Sequence, residues 1–189
     1  MADKESRFTN AIPLNPHKRK EADYMKYSIV YSSKTGNTKS LAEHLKSVFP
    51  DNDCLYFGEV SEEALNADII FAGFWTDKGT CDVDFKKLLQ SCDSKKIFLF
   101  GTAGFGGSNE YFDKILSSVK ENIPSSCKIS GEFMCQGKMP VSVRNRYESM
   151  EETAQKHILI ANFDAAASHP NSNDFANLEN AALKAYNQN

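Results

Sequence analysis

An α/β fold is predicted: a doubly wound, five-stranded parallel sheet with helices on both faces and an extra helix at the carboxyl end. Three observations carry this. Short apolar runs alternate along the chain with segments whose apolar residues recur at helical spacing, the pattern of βαβ units. The run 96–101 is apolar after its first residue, Lys96, as a central parallel strand buried on both faces must be. The 189 residues suffice for one domain with a proper core.

Taken in order, Tyr27, Ser28, Ile29, Val30 and Tyr31 read as the first buried strand. Leu41, Leu45, Val48 and Phe49 follow at i, i+4, i+7 and i+8, which is a helix. Residues 54–57 form a second strand closed by Gly58, and Ser61 caps a brief helix over 61–65. Residues 67–74 make the third strand; Phe85, Leu88 and Leu89 mark the next helix. After the fourth strand, 96–101, Tyr111, Phe112, Ile115, Leu116 and Val119 give another helix. Residues 129–135 are a weaker fifth strand, interrupted by Gly131. Val143, Tyr147, Met150, Ala154 and Ile158 recur at helical spacing and predict one helix. Pro170 breaks the chain, Asn173 and Asp174 cap, and Phe175, Leu178, Ala182 and Tyr186 complete a C-terminal helix. Crossovers of this length are right-handed. Residues 1–24 are polar, broken by Pro13 and Pro16, and carry the basic cluster His17-Lys18-Arg19-Lys20. They are predicted to be a disordered arm or a non-native extension, with the domain running over 25–189.

Composition excludes several classes of function. Hydrophobic residues make up 41% and charged residues 25%, with a formal net charge of −3, which argues against a nucleic-acid surface. No apolar run reaches the length of a membrane span and no signal-peptide core opens the chain, so a cytoplasmic protein without a membrane partner is expected. The five cysteines are odd in number and include no C-x-x-C pair, as free thiols in a reducing compartment would. The four histidines, at positions 17, 44, 157 and 169, have no metal-ligand spacing, and no metal is expected. A thiolate phosphatase would need C-x₅-R directly after the first strand; Cys135 with Arg144 fits neither spacing nor position. Lys138 and Arg144 are read as solvated residues near a helix start rather than as ligands for an anionic substrate.

The stretch Ser32-Ser33-Lys34-Thr35-Gly36-Asn37-Thr38 stands between the first strand and the first helix. N–H groups at a helix start lack partners, and the helix dipole adds partial positive charge there. Gly36 admits φ > 0, so the loop can curl and aim several N–H groups at one phosphate. The spacing fits neither G-x-x-x-x-G-K-S/T nor G-x-G-x-x-G. Ile29-Val30-Tyr31, Ser33, Gly36, Thr38, Ala42, Leu45 and the T-G-N-T core resemble the flavodoxin signature. That resemblance implies a strand order of 2-1-3-4-5 and FMN as cofactor. It also implies a phosphate cradle made of Ser33, Lys34, Thr35, Gly36, Asn37 and Thr38.

In such a sheet the ligand sits beyond the carboxyl ends of the strands, where the order reverses. The loops after strands three and four must then carry the ligand chemistry. The first offers Trp75, Thr76, Asp77, Lys78 and Gly79. Trp75, the one tryptophan of the chain, suits stacking on a flat tricycle. The resemblance makes Lys78-Gly79 the peptide that turns over to meet the reduced flavin, a cheap motion for glycine. Asp77, Asp82 and Asp84 are expected to put negative charge near the ring and to disfavour its reduced anion, with Lys78 opposing them. The second loop offers Thr102, Ala103, Gly104, Phe105, Gly106 and Gly107. There Phe105 is the expected ring cover, and Tyr111 packs at the helix start.

No nucleophile or general acid is expected. The resemblance implies an FMN-binding electron-transfer protein that supplies a partner reductase. The alternative is an FMN-dependent reductase, or a subunit of one, acting on a conjugated small molecule such as a tetrapyrrole or quinone. Residues 73–81, 100–107 and 135–140 resemble a subfamily of bacterial flavodoxin-family proteins, one branch of which accompanies the bilirubin reductase of gut anaerobes. A redox partner of that kind is therefore implied.

Overall fold

Five strands pair in parallel in the order β2-β1-β3-β4-β5. The computed structural model describes residues 25–187; the arm expected over 1–24 lies outside the described residues. The strands are β1 (Tyr27–Tyr31), β2 (Cys54–Glu59), β3 (Ile69–Trp75), β4 (Lys96–Ala103) and β5 (Lys128–Gln136). The helices are α1 (Asn37–Val48), α2 (Val83–Gln90), α3 (Asn109–Lys120), α4 (Val141–Glu148), α5 (Ala154–Ala166) and α6 (Ser172–Asn187). The brief helix expected after β2 is a 3₁₀ turn, Glu62–Asn66, and Ser61 does cap it, its hydroxyl accepting from the Glu63 N–H.

Side chains alternate across each strand, so every central strand feeds two cores. Ile70, Ala72 and Phe74 of β3 and Ile97 and Leu99 of β4 meet α2 and α3 through Phe85, Leu88, Leu89, Ile115, Leu116 and Val119. Ile69, Phe71, Phe98 and Phe100 face the other way, onto Leu41, Ala42 and Leu45 of α1 and Leu178, Ala182 and Ala185 of α6. Each of these large side chains is removed from water, which contributes roughly 1.5–3 kcal/mol apiece before entropy is counted. Glycines let the aromatics close over neighbouring strands. A Cβ on Gly73 would stand 2.3 Å from the Phe100 ring, and one on Gly101 would stand 2.7 Å from that of Phe74.

The C-terminal helix is present, and it is a member of the second layer, packed on β4, β5 and α1. Its cap is Asn171, two residues before the expected pair. The Asn171 side-chain oxygen accepts from the N–H groups of Asn173 (2.9 Å) and Asp174 (3.3 Å), and Asp174 accepts in return from the Asn171 N–H at 2.8 Å. The elements outside the two layers are α4 and α5. A single helix over 143–158 is not formed: α4 ends at Glu148 with Ser149 as its C-cap, and Thr153 starts α5 by accepting from the Lys156 N–H. The misleading periodicity has a plain cause. Tyr147 is buried, but Met150, Ala154 and Ile158 are exposed, so their spacing marks no core face.

Candidate functional site

The carboxyl ends of β1, β3 and β4 converge on the turn into α1. Gly36 holds φ at +88°, a left-handed value, and precedes the helix with no side-chain cap. The Ser33 hydroxyl accepts from the Lys39 N–H, and the Ser40 N–H reaches the Gly36 oxygen. The N–H groups of Gly36, Asn37 and Thr38 have no acceptor among the described residues. Three adjacent unpartnered donors at a helix start form a ready anion cradle.

These donors adjoin a cavity of about 370 Å³. Lys34, Thr35 and Asn37 line one part of it, Trp75 and Thr76 another, and Thr102, Gly104 and Phe105 a third. Trp75 is the last residue of β3 rather than a loop residue, and it is half-buried. The Lys34 ammonium lies 4.8 Å from the centroid of its ring. Phe105 packs edge-on against Tyr111, with centroids 6.0 Å apart, and Tyr111 rests on the α2–α3 core.

Other expected residues stand around the cavity rather than in its lining. Thr38 is wholly buried, and its hydroxyl pairs with that of Thr102 at 3.0 Å, pinning α1 to β4. The Thr102 carbonyl accepts from both the N–H and the hydroxyl of Thr76, at 2.9 and 3.0 Å, joining the ends of β3 and β4. Thr102 and Ala103 belong to β4 itself, and Ala103 is buried. Ser33 lines a neighbouring crevice. Gly106, at φ +73°, lies under Tyr111, and Gly107 lies against the Gln136 side chain.

Asp77, Lys78 and Gly79 form a closed turn. The N–H and carbonyl of Asp77 pair with those of Thr80, and Lys78 (φ 49°) and Gly79 (φ 85°) are both left-handed, as in a type I′ turn. Turning over the Lys78-Gly79 peptide would leave Lys78 alone at positive φ, a type II′ position that glycine dominates. The freedom of Gly79 therefore does not make that motion cheap here.

The segment after β5 supplies a further wall that the loop argument did not include. Gly137, Lys138, Met139, Pro140, Val143, Arg146 and Tyr147 all line the cavity. Its anchors are the Gly137 N–H to the Ala103 oxygen (3.0 Å) and the Lys138 N–H to the His169 oxygen (2.9 Å). The Asn37 amide also donates to the Lys138 oxygen at 2.9 Å. Two glycines permit the approach. A Cβ on Gly104 would stand 2.5 Å from Met139, and one on Gly137 would stand 2.7 Å from the Asn37 amide. The sequence marks this segment only as a block, 135–140, with a glycine after a strand and with Lys138, which is read there as solvated; Lys138 is exposed but lines the cavity. Arg144, by contrast, is engaged between Glu148 and Asp164 and lies over the Phe163 ring, tying α4 to α5.

The cavity lining carries Lys34, Lys138 and Arg146 and no carboxylate. The expected carboxylates lie elsewhere. Asp82 and Asp84 line the neighbouring crevice of about 580 Å³ with Glu59 and Glu62. Asp82 is occupied there, capping α2 and accepting from the Ser32 hydroxyl at 2.5 Å. That larger crevice has neither the free helix-start donors nor an aromatic platform like Trp75, so the smaller cavity is the candidate site. Thiolate chemistry has no support: burial pushes Cys135, Cys81 and Cys92 upward, Cys92 to about 12. No group of three or more metal-ligating side chains exists among the described residues, and no described helix is long and apolar enough to cross a membrane.

A parallel sheet with its reversal point beside a free helix start defines an α/β protein that takes its ligand at the switch point. The chain belongs to the flavodoxin family: the family model described as a flavodoxin domain matches residues 28–183. It is 40% identical over 173 residues to a flavodoxin-like domain-containing protein BilS of Clostridium symbiosum, covering 80% of this chain and 91% of that protein. A BilS of Clostridioides difficile is 34% identical over 161 residues, covering 79% and 90%. Among solved structures, a flavoprotein in complex with FMN from Lactobacillus acidophilus is 19% identical. It covers 66% of this chain and 99% of that one, with a TM-score of 0.45.

Proposed function

We propose that this chain binds FMN and carries electrons to a partner reductase in a reducing cytoplasm. One observation carries the reading: Asn37, the middle of three consecutive residues with free N–H groups, and Trp75 line one cavity at the sheet's switch point. A ribityl phosphate suits the donors, and a flat, largely apolar tricycle suits Trp75 and Phe105. When bound, FMN supplies reversible uptake of one or two electrons.

The protein's own residues bind and orient. Gly36, Asn37 and Thr38 donate to the phosphate through the main chain, with Thr35 beside them. Thr76 and the Thr102 end of β4 hold the floor between the phosphate loop and the ring. The wall of Met139, Pro140 and Tyr147 excludes water from the far side. The lining includes no His, Cys, Asp or Glu, and its remaining candidate proton donors are Lys34, Lys138 and Tyr147. Five unpaired cysteines support the reducing compartment.

Titrating apoprotein with FMN tests the first half: emission of the single tryptophan should be quenched at one FMN per chain, and the visible spectrum should shift. Absence of both would refute it. Mixing reduced protein with a candidate reductase tests the second half. Turnover of a conjugated small molecule by this chain and a chemical reductant alone would favour the direct-reductase alternative.

A further inference from the structure

Two cations of the candidate cavity rest on aromatic rings instead of carboxylates. The Lys34 ammonium is 4.8 Å from the centroid of Trp75, and the Arg146 guanidinium is 5.4 Å from that of Tyr147. Both rings and both cations line the cavity, and Lys138 adds a third positive charge. Neither Lys34 nor Arg146 forms an ion pair among the described residues, whereas Arg144, two residues away on α4, is held by Glu148 and Asp164. A cation on a ring face keeps its full charge for any anion that arrives. Asp82, Asp84, Glu59 and Glu62 open into the other crevice, and Asp77, in the turn directly after β3, lines neither cavity and is the nearest carboxylate along the chain to Thr76.

We infer that Lys34 and Arg146 stabilise the negative charge that a bound flavin acquires on two-electron reduction. This rests on the FMN reading above. Uptake of two electrons and one proton turns the neutral tricycle into a monoanion; a second proton would neutralise it. With positive charge around the ring and no carboxylate in the lining, the second proton is disfavoured and the cations raise the affinity for the reduced cofactor relative to the oxidised one. The acidic surroundings expected from Asp77, Asp82 and Asp84 would have had the opposite effect. Lys34 is the chief contributor, because its ammonium lies at Trp75 and, displaced from that ring face as the tricycle stacks, stays at the edge of the flavin. Both side chains are exposed at the rim, so each effect is modest and salt-dependent.

The test is the midpoint potential of bound FMN against pH, together with the dissociation constant of oxidised FMN. Dithionite is the electron source and is oxidised to sulfite. Lys34→Gln, Arg146→Gln and the double variant are compared with Lys128→Gln, which lies at the opposite end of β5. In the wild type the potential should fall by about 30 mV per pH unit around neutrality, the signature of one proton per two electrons. Each site variant should lower the ratio of reduced to oxidised affinity roughly two- to tenfold, a tenfold change being about 30 mV. The double variant should steepen the pH slope, high salt should narrow the differences, and Lys128→Gln should match the wild type. Equal weakening of oxidised and reduced FMN would assign the cations to the phosphate and overturn the proposal, as would unchanged potentials. Failure of the wild type to bind oxidised FMN would overturn the cofactor reading itself, and this inference with it.

Discussion

Asn37 donates from its side-chain amide to the main-chain oxygen of Lys138, 2.9 Å away and 101 residues further along the chain. The same amide donates to the Thr35 hydroxyl at 3.0 Å. These bonds join the helix-start loop to the wall after β5, so the phosphate end and the far side of the cavity are one unit. Asn37→Ala removes both, at about 0.5–1.5 kcal/mol each. FMN affinity should fall by up to roughly 150-fold, the limit reached if the whole of that energy, about 1–3 kcal/mol, is felt at the site. Asn37→Asp should fall further, because a carboxylate would face both the Lys138 oxygen and the phosphate. Titration by tryptophan quenching measures this; unchanged affinity in both variants would show that loop and wall act independently.

Gly36 offers a cleaner separation of backbone from contact. A Cβ added there meets no atom within 4 Å, so the cost of Gly36→Ala is the left-handed conformation itself, about 1–2 kcal/mol. The curl that aims the free N–H groups should relax, weakening FMN. Riboflavin, which lacks the phosphate, should bind the variant and the wild type alike. The FMN-to-riboflavin affinity ratio is the quantity to measure, and an unchanged ratio would remove the phosphate from this loop.

Trp75 distinguishes ring stacking from core closure. It is half-buried at the end of β3, with Lys34 over its face. Trp75→Ala should weaken FMN by about 1–3 kcal/mol through lost stacking and area. Apoprotein stability should drop by less than the roughly 3–5 kcal/mol of a fully buried aromatic. Denaturant melts of apo and loaded protein decide the matter. A large apo loss with unchanged FMN affinity would make Trp75 a core cap.

The buried thiols set an alkaline limit. Burial raises Cys135, Cys81 and Cys92 above their ordinary value of 9.0, Cys92 to about 12. Above about 9 the unfolded chain releases thiol protons that the folded chain retains, so stability should fall as pH rises from about 9 towards 12. Below that window these groups contribute no slope. Urea melts across the range should show the decline, and Cys92→Ala should flatten it. In the native protein a thiol reagent should reach the half-buried Cys54 and Cys127 before the buried Cys81, Cys92 and Cys135. Equal labelling rates would contradict the burial.

Local pattern made most of the architecture legible. Ile29–Tyr31 and residues 97–101 are continuous apolar runs because strands covered on both faces have no solvent side to write polar residues on. Leu41 and Leu45 show their helix for the complementary reason, since α1 buries one stripe. The same periodicity failed at Met150, Ala154 and Ile158, because spacing records where side chains point and not whether anything covers them.

Thus the sequence by itself determined the class of fold, the helix-start loop at Gly36 and the neighbourhood of Trp75 and Phe105, all of which depend on residues close together in the chain. The tertiary structure alone decided that Lys138, Met139, Arg146 and Tyr147 wall the cavity, and that Asp82 and Asp84 face away from it. It also decided that Thr38 meets Thr102, 64 residues distant. Strand order and register set such pairings, and those follow from how two cores pack on one sheet rather than from any local spacing of residue types.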